Sequence, residues 1–117
     1  MRATVLIVDD HEAFRTSAAA LLAAEGFEIA GHAADGDGAL AQVARLHPHV
    51  VLLDIQLPGA DGFAVAERLA AQRDPPAVVL ISSREAAVYG PRLRTAPVRG
   101  FIAKRRLSGA ALAALVG

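Results

Sequence analysis

The sequence predicts an α/β protein, a doubly wound five-stranded parallel sheet, on three observations. Short aliphatic runs alternate with segments of helical periodicity, as they do where each strand is followed by a helix that crosses back over the sheet. The runs are continuous rather than alternating, which marks strands buried on both faces. Finally, the main runs end on polar groups: Val5-Leu6-Ile7-Val8 on Asp9 and Asp10, Val50-Val51-Leu52-Leu53 on Asp54, Val78-Val79-Leu80-Ile81 on Ser82, and Phe101-Ile102-Ala103 on Lys104. In an open parallel sheet, residues just past the strands' C-terminal ends meet in one crevice.

Taken in order, residues 4–8 form the first strand, and residues 12–24 the first helix. That helix carries Ala13, Phe14, Ala18, Leu21 and Leu22 at helical spacing and stops near Gly26. Residues 27–30 are a short second strand. Ala39, Leu40, Val43, Ala44 and Leu46 line one face of the second helix, which Pro48 ends because proline disfavours helix in the residue before it. The third strand covers residues 50–53. Asp61-Gly62 opens the third helix, with Phe63, Val65, Ala66 and Leu69 facing the core and Pro75-Pro76 closing it. The fourth strand covers residues 78–81. Gly90-Pro91 then falls inside the stretch where a fourth helix is due. Proline costs about 3 kcal/mol within a helix but is tolerated at its first position. Residues 84–89 are therefore expected to form a loop, with a short helix starting near Pro91. A fifth strand over residues 98–103 and a last helix over residues 107–116 complete five β-α units. No repeat, linker or low-complexity tract interrupts them, so residues 1–117 read as one domain.

Composition narrows the function classes. The core must be aliphatic, since 54% of residues are hydrophobic and 4% aromatic. A formal net charge of +0 removes any general electrostatic argument for nucleic acid or membrane binding. The absence of cysteine fits a reducing cytoplasm. No apolar stretch reaches membrane-spanning length, and the chain enters its first strand without a signal peptide.

Three carboxylates, a hydroxyl and an ammonium group at one crevice repel or pair according to what sits among them, and the carboxylates call for a divalent metal. A single aspartate after a strand is often only a helix cap, but Asp9, Asp10 and Asp54 together exceed that. The chain has no G-x-G-x-x-G for a dinucleotide, no Walker phosphate loop and no G-x-S-x-G elbow. Asp9-Asp10-His11-Glu12 would repel a flavin phosphate, and a haloacid-dehalogenase-type phosphatase would want Asp-x-Asp after its first strand. Phosphoryl transfer onto a carboxylate remains. Asp54 can act as nucleophile, Asp10 can help hold Mg²⁺, Lys104 can add positive charge, and Ser82 can hydrogen-bond a phosphoryl oxygen.

Four motifs in order resemble the receiver domain of bacterial two-component response regulators, with its flavodoxin-like (βα)5 fold. They are Val5-Leu6-Ile7-Val8-Asp9-Asp10-His11, the stretch from Leu53-Asp54-Ile55-Gln56-Leu57-Pro58-Gly59 to Asp61-Gly62, Leu80-Ile81-Ser82-Ser83, and Gly100-Phe101-Ile102-Ala103-Lys104. The resemblance implies that Asp54 is the phosphoacceptor for a cognate histidine kinase. It implies Mg²⁺ held by Asp10 and Asp54 directly, by Asp9 through water, and by the backbone carbonyl of Gln56. Ser82 and Phe101 would relay the change to a partner face made by the fourth helix, fifth strand and fifth helix, and Gln56 and Arg84 would tune the phosphoryl lifetime. Asp10-His11-Glu12 and the stretch from Gly31-His32 to Asp35-Gly36 look most like the branch that often carries a helix-turn-helix DNA-binding output domain. An output domain, a partner protein or a phosphorylation-dependent dimer would then read the switch, with no nucleic acid bound by this domain itself. Arg105 stands where the family usually has proline after the lysine. His11 reads as a solvated residue beside the acids, His32, His47 and His49 read as surface without partners, and Arg92, Arg94, Arg99, Arg105 and Arg106 as a basic flank. The competing readings are a pseudo-receiver acting as a constitutive binding module and a small metal-dependent phosphatase.

Overall fold

Side chains of a strand alternate between the two faces of its sheet, and here both faces are apolar, so helices must cover both. The computed structural model describes residues 2–117. Strands β1 (Thr4–Val8), β2 (Glu28–Ala33), β3 (Val50–Asp54), β4 (Ala77–Ser82) and β5 (Gly100–Ala103) form one parallel sheet in the order β2-β1-β3-β4-β5. Val5, Ile7, Val50, Leu52, Val79 and Ile81 pack with residues of α1 (Glu12–Ala24) and α5 (Gly109–Val116). On the other face Leu6, Val8, Val51, Leu53, Val78 and Leu80 pack with α2 (Gly36–Leu46) and α3 (Gly62–Ala70). Phe63, Val65, Ala66 and Leu69 of α3 are all buried, as their spacing predicts, whereas Ala13 of α1 is exposed and lies off the core face.

The helix starts follow from capping chemistry. Asp35 accepts from Gly38 N at 2.7 Å to open α2, Asp61 accepts from Ala64 N at 2.9 Å to open α3, and Ser108 accepts from Ala111 N at 3.0 Å to open α5. Asp61 also takes an ion pair from Arg92 Nη2 at 3.0 Å. The Ala64 N–H is the main influence holding its carboxyl below the usual range, and partial burial opposes it while Arg92 reinforces it. The folded pKa therefore lies below the unfolded one, so the stabilisation is present above the unfolded value and is lost as pH falls through the folded value. Asp61→Ala is expected to cost about 1 kcal/mol near neutral pH. In urea unfolding the gap to wild type should close in acid; a gap that persists when Asp61 is protonated would reject the capping account.

Several boundaries differ from the sequence expectation. Strand β2 continues past residue 30 to Ala33, where Val8 pairs with Ala33, because the backbone ladder with β1 resumes after a register shift at Val5/Leu6. Strand β5 begins at Gly100, and the last helix begins at Gly109 after a 3-10 turn over Lys104–Arg106. The fourth helix, α4 (Pro91–Thr95), has Pro91 at its first turn, as expected. Residues 84–89 are not simply loop: Val88 N and Tyr89 N bond Glu85 O and Ala86 O, each at 3.1 Å, to give one 3-10 turn over Ala86–Val88. His49 is exposed but not without partners, since its Nδ1 accepts from Thr4 N at 3.0 Å and ties the start of β1 to the approach to β3.

Candidate functional site

Strands β1 and β3 are sheet neighbours, and they form the switch point of this strand order, where α/β sheets open a crevice at their C-terminal ends. Asp9 follows β1 directly and is fully buried, and Asp54 ends β3 with 3% exposure. Lys104, just past β5, reaches both: its Nζ lies 2.5 Å from Asp9 Oδ2 and 3.3 Å from Asp54 Oδ2. The same ammonium sits 4.6 Å from the ring centroid of Phe14 on α1. His11 Nδ1 lies 3.1 Å from both Asp9 Oδ1 and Asp10 Oδ1. Backbone donors brace the acids, His11 N to Asp9 Oδ1 at 2.8 Å and Gln56 N to Asp54 Oδ1 at 3.1 Å, while the Arg15 side chain donates from Nη1 to the main-chain carbonyl of Asp9 at 2.6 Å.

Glycine lets the loop after β3 close over this crevice. A Cβ at Gly62 would stand 2.4 Å from Asp54 O and 2.7 Å from Ile55 Cα, so only glycine lets the start of α3 lie against the backbone of Asp54. Gly62 N bonds Ile55 O at 2.7 Å, and an antiparallel bridge between Gln56 and Asp61 shuts the loop. Gly59, with φ +78, turns it. The Asp61-Gly62 pair therefore both caps α3 and positions Asp54.

Charge makes the acids unequal. Burial opposes ionisation of Asp9, but Lys104, with help from the His11 N–H and ring, outweighs it and holds the carboxyl below its usual range. At Asp54 burial prevails and, with the neighbouring Asp9 charge, pushes the carboxyl up despite the Gln56 N–H and Lys104. Burial would lower Lys104, but Asp9 and Asp54 more than reverse it and raise its pKa.

Ser82 ends β4 fully buried, one position beyond the Asp54–Ile81 pairing. Its Oγ lies 2.6 Å from Tyr89 Oη and accepts from Arg84 N at 3.0 Å. Phe101 of β5 is half-buried, and Tyr89 sits between it and Phe63 at centroid distances of 6.1 and 5.8 Å. Sequence reasoning did not single out Tyr89. The one available signal was a lone aromatic just ahead of Gly90-Pro91.

A family model of the response regulator receiver domain matches residues 5–115. The chain belongs to this family, the receivers of two-component response regulators. The response regulator GacA of Pseudomonas viridiflava is 34% identical over 96% of this receiver and 51% of its own length. A protein-glutamate methylesterase/protein-glutamine glutaminase of Anaeromyxobacter dehalogenans is 48% identical over 73% of this receiver and 25% of its own length. The receiver thus spans from about a quarter to about half of such curated relatives. The signal receiver domain of NarL from Mycobacterium tuberculosis is 31% identical, with a TM-score of 0.83, and covers 99% of this receiver and 98% of that structure's chain. The response regulator domain of Thermotoga maritima CheB shares the fold at 23% identity and a TM-score of 0.82, covering 98% and 94% of the two chains.

The receiver's acidic cluster has the donor set of a hard cation site. Ligand atoms of Asp9, Asp10, His11 and Asp54 all lie within 4.8 Å of one another. Asp9 Oδ2 touches Lys104 as an ion contact without an aligned hydrogen bond, and it has no other partner among the described residues. Three carboxylates against one ammonium leave net negative charge that a divalent ion with oxygen ligands would neutralise. The basic flank is largely paired: Arg92 with Asp61, and Arg105 and Arg106 with Glu85 at 2.5 and 3.9 Å. The Lys104–Arg105 peptide is trans, like all peptide bonds among the described residues. No helix among those residues is long and apolar enough to cross a membrane.

Proposed function

We propose that residues 1–117 form one phosphorylation-controlled switch in which Asp54 accepts a phosphoryl group from a histidine kinase. The observation that carries this reading is the place of Asp54 at the end of β3 in the β1/β3 crevice, with Oδ1 held by Gln56 N and Oδ2 near Lys104 Nζ. An Asp54 oxygen attacks the phosphorus of a phosphohistidine; the O–P bond forms as the P–N bond breaks, and the imidazole leaves with a proton. Lys104 offers its ammonium to the incoming phosphoryl oxygens, and the Ser82 hydroxyl offers a donor from the β4 side. Asp10 and Asp54 would bind Mg²⁺ directly, Asp9 through water, and Gln56 through its backbone carbonyl. When bound, the ion supplies charge that neutralises the phosphoryl oxygens. Ser82 and Phe101 pass the change to the α4–β5–α5 face, where an output domain, a partner or a second copy reads it in the cytoplasm. The chain catalyses only its own phosphorylation and dephosphorylation.

Calorimetric titration with Mg²⁺ tests the site. Asp10→Asn is expected to weaken binding about tenfold or more through loss of one anionic ligand. Acetyl phosphate labelling should stop when a chelator removes the metal. Equal Mg²⁺ affinity in Asp10→Asn, or labelling untouched by chelator, would contradict the proposal. A constitutive binding module would take no label, and a phosphatase would turn over the donor without a stable adduct.

Gln56 and Arg84 are both exposed and lie two residues beyond Asp54 and Ser82. Their side chains flank the path of a water attacking the aspartyl phosphate. Gln56→Ala and Arg84→Ala are expected to change the dephosphorylation half-life severalfold, and half-lives equal to wild type in both would reject the role.

A further inference from the structure

We propose that Tyr89 is a positioning residue that latches the Ser82 hydroxyl away from the phosphoryl site in the unphosphorylated chain. This rests on the reading of Asp54 as phosphoacceptor and adds a second aromatic, outside β5, to the way the switch is held. A serine hydroxyl has one proton and two lone pairs. Arg84 N–H takes one lone pair of Ser82 Oγ at 3.0 Å, and Tyr89 Oη, at 2.6 Å, takes the proton or the other pair. Neither Asp54 nor Lys104 is a hydrogen-bond partner of Ser82. With Ser82 as the donor to Tyr89, its proton must leave the phenol before it can reach a phosphoryl oxygen on Asp54, and the half-buried phenol then loses its partner.

The surroundings decide what moves. The Tyr89 ring is wedged between Phe63 and Phe101, with centroids at 5.8 and 6.1 Å. Its backbone is held far less firmly: one 3-10 turn over Ala86–Val88 before it, Gly90 at φ 56 after it, and then a five-residue α4. Arg92 anchors the far side, over the Phe63 ring at 4.0 Å and paired with Asp61. Loss of the Ser82 contact therefore falls on residues 86–90. That segment carries Val88, 56% exposed, and its movement frees the Phe101 ring that Tyr89 packs against. Linkage makes the effect reciprocal, so whatever holds Tyr89 on Ser82 opposes phosphoryl binding to the same degree.

The test is titration of the Mg²⁺-loaded chain with beryllium fluoride, a phosphoryl analogue. Tyr89→Phe keeps the ring, removes the hydroxyl, and should bind the analogue roughly three- to tenfold more tightly, the equivalent of one neutral hydrogen bond. In a Ser82→Ala background the same substitution should change nothing, since the latch has no partner there. Tyr89 is the only tyrosine and there is no tryptophan, so the chain's emission reports this side chain alone and should change in intensity when the analogue binds to wild type. Equal affinity for wild type and Tyr89→Phe, a gain that persists in Ser82→Ala, or unchanged emission on binding would each overturn the latch while leaving the phosphoacceptor reading intact. Wild type that binds no analogue, or binds it equally as Asp54→Asn, would overturn both.

Discussion

Lys104→Ala is expected to lower the stability of the fold by about 3 kcal/mol at neutral pH, the largest effect of any single change at the site. Removing one member of a buried charge cluster leaves the others desolvated and unpaired. The Lys104 side chain is 16% exposed and Asp9 is 0% exposed, so water replaces the ammonium poorly. The pH dependence follows from the signs. The depressed Asp9 carboxyl contributes stability above its unfolded pKa, and loses it as pH falls through the folded value. The raised Lys104 contributes below its unfolded pKa, and loses it as pH rises through the folded value. Their shared contribution therefore spans the neutral range. The deficit of Lys104→Ala should be greatest there and shrink in acid as the carboxyls protonate. Urea unfolding across a pH series measures it, and a neutral-pH loss under about 1 kcal/mol would contradict a cluster held by this lysine.

Asp54→Asn should act in the opposite direction on stability while abolishing phosphorylation. Burial, aided by the Asp9 charge, raises the Asp54 carboxyl, so its ionised form is disfavoured by the fold and its cost is felt above the folded pKa. The asparagine carbonyl can keep the bond from Gln56 N. Removal of the charge should stabilise the chain by on the order of 1 kcal/mol at neutral pH. Phosphorylation should fall to background because no nucleophile remains. Combining Asp54→Asn with Lys104→Ala should recover part of the lysine variant's loss, a non-additivity expected of groups in one cluster. A destabilised Asp54→Asn would mean that Lys104 gains more from Asp54 than Asp9 loses to it.

The parts of the molecule legible in the sequence are those that local chemistry writes down. Strands β1, β3 and β4 are buried on both faces, so their runs are unbroken and the polar residue ending each is plain; Asp9, Asp54 and Ser82 were found that way. Asp61-Gly62 marks the start of α3 by capping, and Gly90-Pro91 marks the shortened α4 by the missing N–H. The edge strand β2 was only half visible, because Gly31 and His32 interrupt its apolar signal and the ladder to β1 decides its length. Contacts between distant residues were invisible. His49 meets Thr4 across 45 positions, and the arginines meet Glu85 and Asp61 rather than solvent alone. Tyr89 belongs to no periodic pattern, and the turn over Ala86–Val88 is what brings its hydroxyl back to Ser82.

Mapping the phosphoryl group tests the central claim most directly. The chain is incubated with acetyl phosphate and Mg²⁺, its intact mass is measured, and the modified peptide is sequenced by fragmentation. One phosphoryl group carried on Asp54, labile to base and absent when the metal is chelated, is the expected result. A phosphoryl group on His11, Ser82 or any residue other than Asp54, or a chain that takes none while intact and metal-loaded, would contradict it.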